Sequence, residues 1–131
     1  MTRPLRGSDL ALVAAGGAAG AVLRWTLGTV TPDGAGFPWT TFAINVLGCL
    51  ALGLLPLVDG RDHHVTLVLG PGLLGGFTTV STYADQARAL VAVGDLGLAG
   101  TYVVATLAAG MAAAVLGRWS SHRPEPEDAL T

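Results

Sequence analysis

Lysine is absent, cysteine occurs once, and charge of either sign is scarce. Asp, Glu, Lys and Arg together make up 12% of the chain, against about 25% in an ordinary soluble domain. So few charges could not cover a small soluble globule, which argues against a soluble enzyme. With Cys49 alone, no disulfide forms within the chain and no cysteine metal site is possible. Seven arginines against nine acids leave a formal net charge of −2, so there is no basic face for nucleic acid. Disorder needs low hydrophobicity and high charge. Here 51% of residues are hydrophobic and mean hydropathy is +0.58. The 131 residues suit one domain, and the class is an integral membrane protein.

The few charges divide the chain. None falls between Asp9 and Arg24, from Gly34 to Val58, from His63 to Ala84, or from Leu96 to Gly117. A helix needs about 20 apolar residues to cross the hydrocarbon core. Four spans are expected, at about 10–30, 37–58, 65–90 and 96–117. Irregular chain cannot face lipid, so the spans should be helices. Short Pro/Gly and charged turns make successive helices antiparallel neighbours. The expected organisation is a four-helix membrane domain over residues 1–118 and a disordered cytoplasmic tail over 119–131. Arg24 argues against reading the first span as a cleaved signal peptide. Placing both termini inside puts Arg3, Arg6, Arg61, Arg118 and Arg123 on the cytoplasmic side. That bias favours one fixed topology.

Several residues are unusual for a membrane span. An arginine at the centre of a span costs about 2.5–3.5 kcal/mol on insertion scales. Arg24 either snorkels to the interface or stands as a fixed positive charge in a wet vestibule, where it raises the local anion concentration. Gly16 and Gly20 before it form a small-xxx-small pair for close helix packing. Asn45 lies mid-span, as an interhelical hydrogen-bonding group or as a donor lining a pore. The third span carries Gly75-Gly76-Phe77-Thr78-Thr79-Val80-Ser81-Thr82-Tyr83, with Pro71 just before it. This is poor helix material, and a break there is expected. Such a break exposes backbone groups that protein, water or an ion must satisfy. In the fourth span Tyr102, Thr106 and Gly110 share one face, as a polar track or a small-residue interface. His63 and His64 read as solvated turn residues and Cys49 as packing.

Taken in order, Gly16–Arg24, Asn45-x-x-Gly48 and Gly75–Tyr83 resemble the Fluc/CrcB fluoride channels, and the resemblance covers all four spans. It implies an all-α integral membrane fold of four helices, the third broken at mid-membrane, paired in an antiparallel, dual-topology-type dimer. It further implies passive, fluoride-specific efflux across the cell membrane. A structural, non-transported Na+ would sit at the dimer centre on the carbonyls of Gly75 and Thr78. Asn45, Val80, Ser81, Thr82, Tyr83, Tyr102 and Thr106 would lie along the anion path, with Arg24 as the vestibule charge. The family hallmark carries phenylalanine where this chain has Val80 and Tyr83. Val80 offers neither ring edge nor donor. Together with the one-sided arginines, this favours a heterodimer with an inverted paralogue over a homodimer. The competing readings are a small four-helix proton-coupled exporter and a non-conducting partner subunit. The first span lacks the carboxylate that such an exporter uses. No phosphate-binding loop or nucleophile–base pair points to an enzyme.

Overall fold

The computed structural model describes residues 6–57 and 62–121. Helix α1 is Gly7–Val30 and α2 is Trp39–Leu54, extended by a 3-10 turn over Leu55–Leu57. The third span is composite. It comprises α3 (His63–Leu67), a π-helical stretch (Val68–Leu74), α4 (Gly75–Phe77) and α5 (Ser81–Ala92). Helix α6 is Leu96–Ser121. No strand occurs among the described residues, and four helical segments are long and apolar enough to cross a membrane. The expected spans are all present, each within a few residues of its predicted ends.

Two differences have physical causes. Helix α6 runs to Ser121, past the expected start of the tail at 119. Its last turn is held by Ser120 and Ser121 hydroxyls, which donate to the carbonyls of Leu116 and Arg118. Ser121 also donates to Gly53 O at 3.3 Å, tying the end of α6 to α2. The rest of the expected tail, 122–131, lies outside the described residues, as do Arg3, Arg61 and Arg123. The second difference concerns the glycine pair. Gly75 and Gly76 are helical, and the backbone leaves helical geometry only after Phe77, at Thr78 (φ −74°, ψ 156°). Pro71 acts upstream. It has no N–H to give its helical acceptor, and the chain around it is wound as a π-helix, the wider register that accommodates such a defect.

Glycines bring helices to backbone contact. Helix α1 lies along the π stretch and α4. A Cβ on Gly20 would overlap the Leu73 carbonyl, and one on Gly76 would overlap the carbonyl of Gly17. A Cβ on Gly16 would stand 2.5 Å from Val68 O. Helix α2 packs on α6 in the same way, through Gly53 against Ala114 and Gly117 against Leu50. These are the small-residue contacts that membrane helices use when lipid offers no hydrophobic driving force between them. The buried apolar side chains are Ile44, Phe77, Ala99, Tyr102 and Ala113. Large apolar groups such as Trp25, Val80, Val104, Met111 and Trp119 are all more than 60% exposed. The single chain therefore buries little and presents most of its apolar surface outward.

Replacing Gly20 by valine should cost about 3 kcal/mol or more, because backbone on the facing segment cannot move aside. Gly100, with open space at its Cβ position, supplies the control: Gly100→Ala should be neutral or stabilise by up to about 1 kcal/mol. Thermal melts of the purified protein in detergent would separate the two.

Candidate functional site at the interrupted third span

The chain is out of helical geometry between Phe77 and Ser81, and the Asn45 side chain together with the segment's own hydroxyls holds it there. Asn45 from α2 pairs with the Thr79 peptide on both sides. Its Nδ2 donates to Thr79 O at 3.0 Å, and its Oδ1 accepts from Thr79 N–H at 2.8 Å. The two bonds fix the orientation of the amide, since only oxygen can face the peptide N–H. One turn on, Gly48 leaves space for the Thr78 methyl, which a Cβ would displace. The Asn45-x-x-Gly48 spacing thus serves two adjacent residues of the break. The Thr78 hydroxyl donates to Leu74 O at 3.0 Å. The Thr79 hydroxyl accepts from Thr82 N–H at 3.1 Å and so caps the start of α5. It also donates to the Thr82 hydroxyl at 3.1 Å and lies 3.3 Å from that of Ser81.

Arg24 reaches both the break and a cleft beside it. Its Nε donates to Gly76 O at 3.2 Å, a carbonyl whose helical partner would have been Val80 N–H. Its side chain also lines an open cleft of about 400 Å³ with Trp25, Thr40, Thr41, Thr79 and Thr82. A second cleft of about 290 Å³ lies on the other side of the break. Asn45, Thr78, Thr79, Val80, Tyr83 and Thr106 contribute to its wall. Thr79 borders both.

The expected anion-path residues therefore divide. Asn45, Val80, Tyr83 and Thr106 share one cleft, while Arg24 and Thr82 share the other. Ser81 is exposed beside the break. Val80 is 79% exposed, on the surface and not in a core. Tyr83 donates to Val103 O at 3.3 Å. Tyr102 lines neither cleft. It is fully buried, with its hydroxyl donating to Gln86 Oε1 at 2.8 Å and its ring edge-on to Phe37. Thr106 donates to Tyr102 O at 2.7 Å, and Gly110 packs on Cys49.

Gly75 and Thr78 sit at the edge of the break. The helical donor for Gly75 O would be Thr79 N–H, which Asn45 takes instead. Thr78 is the extended residue itself. Carbonyls released this way are hard oxygen ligands, the donor type suited to a hard cation. A Cβ on Gly75 would meet nothing, so this edge is open on the single subunit. Among the described residues no group of His, Cys, Asp and Glu could hold a metal.

Family comparison places this geometry. The profile described as CrcB-like protein, Camphor Resistance (CrcB), matches residues 11–118. The chain belongs to the CrcB family. It is 43% identical over 120 residues to a fluoride-specific ion channel of Rubrobacter xylanophilus, covering 87% of this chain and 97% of the relative. It is 43% identical over 114 residues to one from Novosphingobium aromaticivorans, covering 82% and 90%. With the relative from Thermus thermophilus the identity is 41% over 111 residues, covering 81% and 89%. This CrcB chain is a multi-pass membrane protein, and its matched region contains the whole of the interrupted span.

Two polar residues near the site escaped the sequence reading. Asp33, in the α1–α2 turn, accepts four hydrogen bonds. They come from Thr40 N–H (2.7 Å), Thr41 N–H (3.1 Å), the Thr41 hydroxyl (2.7 Å) and Gln86 Nε2 (2.9 Å). It caps α2 from a distance, since the residue at the cap position is Pro38 and supplies no side-chain bond. The missing cap at Pro38 was the available signal for Asp33. For Gln86 it was uniqueness: the chain has one asparagine and one glutamine.

Burial pushes the Asp33 carboxyl up, but the bonds from Thr41, Thr40 and Gln86 outweigh it, and its pKa lies below the ordinary 3.8. A depressed carboxylate contributes stability that is complete above the ordinary value and is lost as pH falls through the lowered one. Melts in detergent should hold steady down to about pH 4 with respect to this group and weaken below it. Asp33→Asn should remove that component. Asn45→Leu should be more damaging. It strips both Thr79 backbone groups of their partner at about 1–3 kcal/mol each, and faster amide exchange at residues 78–80 would register it.

Proposed function

We propose that this chain is a subunit of a fluoride-specific ion channel in the cell membrane, giving passive efflux that lowers cytoplasmic fluoride. The observation that carries the reading is family membership over nearly the whole chain, with relatives bearing that name. The site chemistry agrees. Fluoride is small and strongly hydrated, so its path must replace water with donors. Arg24 and the Thr82 hydroxyl border one cleft. Tyr83 borders the other, and the positive edge of its ring can face a bare anion. An inside-negative potential of 100 mV favours anion exit by about 2.3 kcal/mol per charge, so efflux requires no pump chemistry and no enzyme activity.

The path lies between two antiparallel subunits. A single chain with so small a core encloses no pore, and its clefts open on its surface. The partner is a second copy or an inverted paralogue. The exposed Val80 supports the paralogue, which would supply the ring edges this residue lacks. Arg6 and Arg118 lie at the same end of the bundle, and the positive-inside bias puts both termini in the cytoplasm. The break at Thr78 falls near the middle of the third segment, His63–Ala92, which supports a position near the membrane midplane. A structural Na+ would be held by the carbonyls of Gly75 and Thr78 at the dimer centre, where it would neutralise clustered carbonyl dipoles and lock the two breaks together. It is not transported.

The test is fluoride efflux from liposomes containing Na+, followed with a fluoride electrode and with chloride as control. Fluoride-selective efflux from the lone chain would establish a homodimeric channel. Efflux only after adding an inverted paralogue would establish the heterodimer. Silence in both would overturn the channel reading, and flux driven by a proton gradient would point to an exporter.

A further inference from the structure

We propose that Gln86, held by Asp33, is the positioning residue that sets the rotation of α5 and thereby the presentation of Thr82 and Tyr83 to the anion path. The flux arm of this inference rests on the fluoride reading; the structural arm does not. Helix α5 needs such a device. The break over residues 78–80 removes the continuous hydrogen bonding that would couple α5 to α4. None of its residues is buried, so packing alone defines its orientation poorly. Side-chain ties must do it.

Three ties exist, and they differ in quality. Asn45 fixes the chain at Thr79, just before α5 begins. The Tyr83 hydroxyl reaches Val103 O at a long 3.3 Å. Gln86 makes two shorter bonds at once, donating to Asp33 Oδ2 at 2.9 Å and accepting from the Tyr102 hydroxyl at 2.8 Å. Both anchors are themselves held. Asp33 is held by two backbone N–H groups and a hydroxyl at the start of α2. Tyr102, on α6, is wholly buried between Phe37 and Tyr83, with ring centroids 5.3 and 5.2 Å away. Gln86 is thus clamped between α2 and α6. It lies three residues after Tyr83 and four after Thr82, hence on their face of α5.

The polarity is also determined. A carboxylate only accepts, so Gln86 must turn its NH₂ to Asp33 and its carbonyl to Tyr102. The Tyr102 hydroxyl then has to donate to Gln86. One carboxylate in a turn therefore orients an amide on α5 and a phenol on α6. The chain's only asparagine and only glutamine hold this segment at Thr79, just before α5, and at Gln86 within it.

The experiment uses the full chain in lipid nanodiscs, with backbone hydrogen exchange followed by mass spectrometry, and the same proteins in the liposome assay. Gln86→Leu keeps the bulk and removes both bonds. Amides of α5 should then exchange about tenfold faster, as expected for losing bonds of ordinary strength, while those of α2 and α6 do not change. Fluoride flux should fall by a similar factor. Gln86→Glu sets two carboxylates against each other and should do the same. Tyr102→Phe removes only the second of the two bonds and should loosen α5 by less than Gln86→Leu does. Unchanged α5 exchange in Gln86→Leu would overturn the proposal. So would a loosened α5 with full flux. If the unmodified chain carries no fluoride while α5 loosens as described, the fluoride reading fails and the positioning role of Gln86 stands.

Discussion

One carboxamide makes the irregular span possible. A chain that leaves helical geometry inside a lipid-facing bundle forfeits backbone hydrogen bonds that no water replaces, and that loss is prohibitive unless protein supplies partners. Asn45 returns two of them to a single residue, Thr79. The Thr78 and Thr79 hydroxyls serve the ends of the flanking helices, α4 and α5. Arg24 serves the carbonyl of Gly76. Each compensating group comes from a residue costly to keep in a membrane. Their cost is offset because they satisfy one another and the break.

Close packing of backbone on backbone is the second condition. Asn45 reaches Thr79 only because α2 and the third span approach closely, and Gly48 permits that approach at Thr78. The glycine face of α1 brings Arg24 within reach of Gly76 by the same principle. Polar clamps and glycine contacts are therefore one design. Small residues set the distance and polar side chains use it.

The arrangement also accounts for what a subunit leaves undone. The buried apolar core is small, the clefts on either side of the break are open, and Val80 and the Gly75 edge face outward. An antiparallel partner would cover these features and turn two surface clefts into enclosed paths. In the proposed dimer the carbonyls of Gly75 and Thr78 would meet their counterparts across the interface and offer hard oxygen ligands to a Na+ ion.

Much of this was legible without coordinates. Charge spacing located four helices, because a 30 Å apolar layer imposes length and excludes charge. Glycine pairs, Asn45, Arg24 and the threonine run stood out, because polar and helix-breaking residues survive in lipid only with partners. The sequence alone did not reveal the partners. Whether Asn45 faces a pore or a peptide depends on which helix lies beside it. Tyr102 looked like the start of a polar track, yet its register on α6 buries it against Gln86. Gly75 and Gly76 looked like the break, yet both are helical, Gly76 is packed on Gly17 of α1, and the backbone departs only at Thr78. Asp33 drew no notice in the sequence. Only the meeting of the α1–α2 turn with α2, α5 and α6 makes it the anchor of that end of the bundle. Local chemistry determines which groups must be satisfied, and the long-range approach of helices decides by whom.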